Sequence, residues 1–169
     1  VDVENFEKEN DRIKNSKIKI IWNGDRKEEN IHARTIHLHP KQVGGAILSL
    51  DKMIPEDEWL WAGTNWKKHI NKSIVDSISG VILKSRDPDK LCSKWELALG
   101  KKRDPGEIFN ISLDQSNISF VHDKNSTEDG IHAFIVKALN REKIIENAKL
   151  KGLLVNEEIT VGGVKIILD

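Results

Sequence analysis

Two histidines that lie two residues apart, His37 and His39, have a spacing that could serve metal chemistry. They fall on a predicted strand over 31–39, where residues two apart share a face and His32 faces the other way. Imidazoles on one face can bind a divalent ion, but a site needs about three protein ligands. Because no third ligand is spaced to complete it, we favour a hydrogen-bonded or exposed His37 and a His39 that orders the turn at Pro40. The metal site is kept as the alternative.

Three of the five tryptophans, Trp59, Trp61 and Trp66, occur close together. Aromatic walls with a few polar groups are typical of ligand pockets. Large rings also fill seams between parts of a protein, since each ring buries roughly 150–250 Å². We favour a seam between the two halves of the chain and keep Trp61 and Trp66 as ligand-binding candidates.

The composition excludes several classes of protein. The 169 residues carry 27 Lys+Arg, 27 Asp+Glu and one cysteine, with a formal net charge of +0. A nucleic-acid-binding protein normally carries a basic excess, so we expect no nucleic-acid partner. Cys92 has no second cysteine to pair with and no histidine spaced to activate it, which favours a buried structural thiol and a cytoplasmic protein. No apolar run approaches the roughly 20 residues of a membrane helix, so we expect no membrane partner.

Strands and helices are predicted to recur in one order along the chain. Asn5 is expected to cap the first helix, and Asp87 with Pro88 is expected to begin another helix that ends at Gly100. The predicted strands lie at 1–3, 17–22, 31–39, 46–50, 78–85, 108–113, 117–122, 131–138, 153–155 and 164–168, with helices after the first, fifth and eighth of them.

A sequence repeat supports this order. Residues 43–51 and 161–169 share the pattern V-G-G-x-x-x-x-L-D. Glycine adopts positive φ at little cost, so each Gly-Gly pair predicts a turn or bulge that starts a final strand. The fold class predicted is α+β, built from copies of one strand–helix–three-strand (βαβββ) module.

Two segments resemble a known superfamily. The stretch H-P-K-x-x-G-G at 39–45, followed by an apolar strand, is similar to the segment before the last strand in methylmalonyl-CoA epimerase-like proteins. The helix that begins at Asp87-Pro88 and contains Trp95 resembles the first helix of glyoxalase and bleomycin-resistance modules. The chain therefore resembles the vicinal oxygen chelate superfamily, which includes glyoxalases, bleomycin-resistance proteins and dioxygenases.

This resemblance implies curled, cup-like mixed sheets formed by repeated βαβββ modules. Residues 1–52 would be a single module, the second half of a domain that begins upstream, and 53–74 would be a Trp-containing linker. Residues 75–169 would form a glyoxalase-like domain of two modules, at 75–123 and 130–169.

In the enzymes of this superfamily a divalent metal is held in the cup by His, Gln and Glu side chains and acts as a Lewis acid. The resemblance places the glutamate ligand of the last strand at Ser49 in the first module and at Ile167 in the last one. It places a first-strand histidine ligand at Gly80. None of these residues supplies the expected ligand, so we predict no metal in 75–169.

Two histidines stay as metal candidates, His39 and His132. Alignment of the last module puts Ile131 at the ligand position, and a shift of one residue turns a strand side chain to the other face. His132 therefore qualifies only if a bulge intervenes. A divalent metal is expected only if its ligands are supplied upstream.

The function implied is the binding of a small metabolite, CoA- or thiol-linked or 1,2-dioxygenated, in the cup of a sheet. One form of it is a lyase or isomerase of the glyoxalase or epimerase type whose catalytic half lies upstream. The alternatives are a metal-free binding or resistance-type protein and a purely structural module. A small molecule is the expected partner, a homodimer is left open, and no catalytic residue is assigned. The ligand-binding candidates are His37, His39, Ser49, Trp61 and Trp66.

Overall fold

Strands and helices follow one another in nearly the predicted order in this computed structural model, which describes residues 1–63, 65–106 and 109–169. The α-helices are α1 (Phe6–Asn15), α2 (Pro40–Val43), α3 (Pro88–Leu99) and α4 (Arg141–Leu150), and two short 3-10 helices span Leu60–Ala62 and Trp66–His69. The strands are β1 (Ile20–Glu28), β2 (Ile31–Leu38), β3 (Ser49–Ile54), β4 (Val75–Ser85), β5 (Asn110–Ser112), β6 (Asn117–His122), β7 (Gly130–Ala138), β8 (Leu154–Val155), β9 (Glu158–Val161) and β10 (Val164–Leu168). The chain folds as two compact units, the first comprising Val1–Ile70 with Leu97–Leu99 and the second comprising Asn71–Glu96 with Gly100–Asp169.

The first unit contains a three-stranded antiparallel sheet in the order β1-β2-β3. The segment before α1 adds a parallel bridge between Asp2 and Asp51 at the edge of β3. Asn5 caps α1 as predicted, because its side chain accepts a hydrogen bond from the Lys8 amide at 3.0 Å. A strand segment, a helix and three strands therefore form one βαβββ arrangement.

The second unit contains a seven-stranded mixed sheet in the order β5-β6-β4-β7-β10-β9-β8. Its centre is the antiparallel pair β4 and β7, and each of these strands has a parallel neighbour, β6 or β10, on its outer side. Asp87 caps α3 by accepting from the Lys90 amide, and Gly100 ends that helix with φ +65°. Both ends of α3 confirm the sequence prediction.

Both Gly-Gly pairs form turns, as predicted. Gly44 and Gly45 have φ of +81° and +77°, and Gly162 and Gly163 have φ of +58° and +83°. The second pair joins β9 to β10 as a hairpin, whereas the first follows α2, a short helix that the sequence pattern did not predict. The strand expected at 46–50 is displaced for this reason and runs from Ser49 to Ile54.

Residues after β3 pack within the first unit. Leu60 is buried against Ala33 and Met53, and Trp61 packs on the same cluster. The ring of Trp61 thus fills a gap inside the first unit. Of the predicted strand 108–113, the structure shows Asn110–Ser112, and Ile108 lies outside the described residues. Across the described ranges, no helix has the length and apolar character needed to cross a membrane.

Candidate ligand site on the first sheet

The two faces of the first sheet have different surroundings. The guanidinium of Arg34 stacks over the ring of Phe6 at 4.3 Å and pairs with Glu7, so the even-numbered side chains of β2 face α1. Odd-numbered side chains of β2, which include Thr35 and His37, face the other way because strand residues alternate. The sheet therefore has one face covered by α1 and an opposite face on which the short 3-10 helix Leu60–Ala62 packs.

Six residues on the face opposite α1 form what we call the ligand face: Trp22, Thr35, His37, Ser49, Asp51 and Trp61. Cross-strand pairing joins His37 to Trp22 on one side and to Ser49 on the other, and it joins Thr35 to Asp51. Such partners project from the same face of a sheet. The hydroxyl of Ser49 donates to the Asp51 carboxylate at 2.7 Å, which fixes that buried carboxylate in place.

Aromatic rings line one part of the ligand face. The ring centroid of Trp22 lies 4.7 Å from that of His37 and 6.4 Å from that of Trp61. The indole of Trp22 approaches the backbone closely because residue 24 is glycine. A Cβ on Gly24 would lie 2.6 Å from Cη2 of Trp22 and 2.9 Å from Cγ2 of Thr35. Gly24 therefore lets Trp22 lie beside Thr35.

Two polar atoms on the ligand face are buried without a hydrogen-bond partner. Thr35 is 2% exposed, and its Oγ1 has no partner among the described residues; the same holds for Nε1 of Trp61. A buried polar group left unpaired costs about 1–3 kcal/mol, so native proteins contain few of them. An indole N–H can only donate, whereas a hydroxyl can donate and accept. Each of the two atoms is chemically able to bond a ligand oxygen.

Three of the five ligand-binding candidates, His37, Ser49 and Trp61, lie on the ligand face. The other two lie elsewhere. His39 is the N-cap of α2, and its Nδ1 accepts a hydrogen bond from the Lys41 amide at 3.2 Å. Trp66 donates from Nε1 toward a carboxylate oxygen of Glu58 at 3.4 Å.

Sequence reasoning missed Trp22 and Thr35 as members of the ligand face, and it favoured a turn or cap role for Asp51 over that of a general base near the mouth of the cup. Thr35 has the same parity as His37 on β2, and Asp51 has the same parity as Ser49 on β3. The shared parity could have placed Thr35 and Asp51 on the same face as the predicted ligand-binding residues. Trp22 gave no such signal, because a bulge in β1 changes the face on which it lies.

The residues present do not fit the metal site implied by the resemblance. No three or more His, Cys, Asp or Glu side chains converge to hold an ion in residues 1–63, 65–106 or 109–169. At Gly80, where a histidine ligand would be expected, a Cβ would overlap Oδ1 of Asn117, so the place of that side chain is already filled.

The bulge required for His132 is present, but it leads to no metal site within the described residues. Ile82 pairs with Ala133 and Leu83 with Ile131, so His132 is the extra residue of a β-bulge. It lines a cavity beside α4 in the second unit.

Among the groups with shifted pKa values, Asp25 and Cys92 lie away from the ligand face. The hydrogen bond from His32, on the face toward α1, lowers the pKa of the Asp25 carboxyl below 3.8. Cys92 of α3 is fully buried, and this burial raises the pKa of its thiol. A raised pKa disfavours the nucleophilic thiolate, which supports the structural interpretation of this cysteine.

Comparisons with known proteins identify the fold. No protein-family model matches the sequence, and no curated protein matches it. The structure of a hypothetical protein from Staphylococcus aureus is similar over 99% of this chain and 62% of the Staphylococcus chain, with a TM-score of 0.62 and 11% sequence identity. The structure of a Mn(II)-bound glyoxalase from Novosphingobium aromaticivorans is similar over 96% of this chain and 57% of the glyoxalase chain, with a TM-score of 0.57 and 12% sequence identity. This chain thus spans about three-fifths of each structure, and the likeness, together with the βαβββ order and the mixed sheets, shows an α+β glyoxalase-like fold.

Proposed function

We propose that this protein binds a small 1,2-dioxygenated metabolite on its ligand face, through side chains and without a metal ion. One observation carries the proposal: Thr35 Oγ1 and Trp61 Nε1 are buried on the same face of the sheet and have no hydrogen-bond partner within the described residues. Two neighbouring ligand oxygens would satisfy both atoms. The glyoxalase-like fold supports a sheet-borne site for a metabolite of this class.

Each residue of the ligand face has a distinct role in this proposal. Trp61 donates from Nε1 to one ligand oxygen, and the Thr35 hydroxyl bonds the other. Trp22 and His37 provide ring surfaces beside the bound molecule. Asp51, oriented by Ser49, accepts from a ligand hydroxyl. Because the Thr35 and Trp61 atoms have almost no exposed surface, binding requires a neighbouring side chain to move. We expect this side chain to be Trp22, which is half-exposed and lies beside Trp61.

The test uses the full chain in a chelating buffer, with a panel of pyruvate, lactate, glyoxylate and catechol, each measured by calorimetry. We expect at least one of these compounds to bind with EDTA present and to raise the melting temperature by mass action. Removing one neutral hydrogen bond costs about 0.5–1.5 kcal/mol, so Trp61→Phe is expected to weaken binding about threefold to tenfold.

The matched control is Trp59→Phe, which changes the same residue type two positions away at a site that is 37% exposed. Its affinity should equal that of the unmodified chain. Equal affinities for both variants, or no binding by any member of the panel, would contradict the proposal.

A metal-dependent lyase or isomerase is the second candidate, because the structural neighbour from Novosphingobium aromaticivorans is a Mn(II)-bound glyoxalase that is longer than this chain. It predicts that binding or turnover appears only when Mn²⁺ is added. A purely structural module predicts no binding with or without Mn²⁺. The two outcomes are separated by repeating the panel with Mn²⁺ in place of EDTA.

A further inference from the structure

The second unit contains a cavity with a volume of about 720 Å³ between α4 and strands β8–β10. Arg141, Ile145 and Lys149 line it from the helix. Because α4 supplies one wall, the cavity lies on the side of its sheet that α4 covers. Its volume falls in the range of about 300–1,000 Å³ that is typical of small-molecule sites.

Half of the residues that line this cavity are apolar. They include Ile145 of α4 and Leu154, Ile159 and Ile166 of the strands, and Ile159 is 8% exposed. A hydrocarbon chain or ring entering the cavity would remove apolar surface from water on both sides, which is favourable in proportion to its area.

Two cations stand at the ends of the helical wall. Arg141, Ile145 and Lys149 are spaced four residues apart and therefore share one face of α4, with roughly 12 Å of rise between the first and the last. The Arg141 guanidinium donates to the backbone carbonyl of Leu168 at 2.7 Å, and no carboxylate in the described ranges pairs with it. The ammonium of Lys149 likewise pairs with no described residue.

The remaining charges of the lining leave an excess of positive charge. Lys165 and Glu158 pair with each other at 2.7 Å. Within the described lining, Glu157 is then the one carboxylate set against Arg141 and Lys149. A partly apolar cavity with one positive charge in excess is complementary to an apolar molecule that carries one negative charge.

We propose that this cavity is a binding site for amphipathic monocarboxylates, with the hydrocarbon part between Ile145 and Ile159 and the carboxylate at Lys149 or Arg141. The site is independent of the ligand face.

The test is a calorimetric titration of the full chain with hexanoate, octanoate and decanoate. Each added CH₂ that is buried should tighten binding by up to about fourfold until the cavity is filled. Decanol and decylammonium serve as chain-matched probes without the negative charge, and we expect both to bind more weakly than decanoate. No saturable binding of decanoate, or equal binding of all three ten-carbon probes, would overturn the proposal.

Two variants locate the site. Lys149 is exposed, so Lys149→Gln should fold, and it should weaken decanoate binding by up to about fivefold. Lys143→Gln removes a charge of the same helix that pairs with Glu146 and does not line the cavity, so it should leave the affinity unchanged. Ile145→Trp should fill the cavity and abolish binding.

If Ile145→Trp does not fold, the comparison of Lys149→Gln with Lys143→Gln decides alone, and equal affinities would contradict the assignment. Trp61→Phe should leave decanoate binding unchanged. A failure of the proposal for the ligand face is therefore distinguishable from a failure of this one.

Discussion

Replacement of Thr35 by valine should stabilise the protein while weakening its binding of ligand. Thr35 is only 2% exposed, and its Oγ1 has no partner among the described residues. Valine keeps the branched shape and removes the unpaired oxygen. The cost of such an oxygen is about 1–3 kcal/mol, so the free energy of unfolding should rise by about 1 kcal/mol or more. A change of 1 kcal/mol corresponds to roughly 4–8 °C in the melting temperature of a unit of 60–100 residues.

The control is Ser49→Ala on the same face. Its hydroxyl does have a partner, since it donates to Asp51 at 2.7 Å. Removing it leaves a buried carboxylate with one donor fewer, so the free energy of unfolding should fall by about 1 kcal/mol. Each of the two substitutions removes one hydroxyl from the ligand face. We expect the free energy of unfolding to rise for Thr35→Val and to fall for Ser49→Ala.

Urea denaturation followed by far-UV circular dichroism gives the free energy of unfolding of each variant, provided that the slopes with denaturant agree. The reasoning is refuted if Thr35→Val loses as much stability as Ser49→Ala, because Thr35 Oγ1 would then be satisfied in the free protein. It is also refuted if Thr35→Val is more stable and yet binds ligand as well as the unmodified chain.

Three further substitutions test other parts of the structure. Gly44→Val should destabilise the protein by about 1–3 kcal/mol, because φ of +81° is strained for a β-branched residue, and an unchanged urea midpoint would disprove the turn. Gly24→Ala should cost about 1–3 kcal/mol and change the tryptophan fluorescence by displacing Trp22, whereas unaltered emission would show that the indole does not lie over residue 24. Glu96→Gln should lower stability above about pH 4.5 and lose this effect in acid. Arg103 lowers the pKa of Glu96, so the charged pair stabilises the protein above the ordinary pKa of 4.5, and this stabilisation disappears as the pH falls through the folded-state pKa. A difference in melting temperature between Glu96→Gln and the unmodified chain that is the same at all pH values would contradict this prediction.

Local signals in the sequence were sufficient to predict the helix ends and the turns. Asn5 and Asp87 cap helices with their own side chains, and Gly100 adopts a left-handed conformation that other residues rarely occupy. The repeated V-G-G pattern then indicated two copies of one module, because the same turn must precede the same strand. These features depend on a few neighbouring residues, which is why they can be predicted without tertiary contacts.

The membership of the ligand face could not be predicted fully, because it depends on a bulge. Simple alternation places Ile20 and Trp22 on one face of β1. In the structure Ile20 pairs with Leu38 but Trp22 pairs with His37, so Ile21 is an extra residue and Trp22 lies on the opposite face. A second bulge at His132 changes the face of a side chain in the same way. The partners of a bulged strand decide its register, and they lie elsewhere in the chain.

The indole N–H of Trp61 offers the most direct test of ligand binding, through ¹⁵N–¹H spectra of the full chain with EDTA present. The signal is assigned by its loss in Trp61→Phe. We predict that titration with a binding member of the panel moves this proton downfield, as a new hydrogen bond forms, while the indole signal of Trp66, already donating to Glu58, stays in place. A saturating ligand that leaves the Trp61 signal unmoved would contradict direct binding by this face.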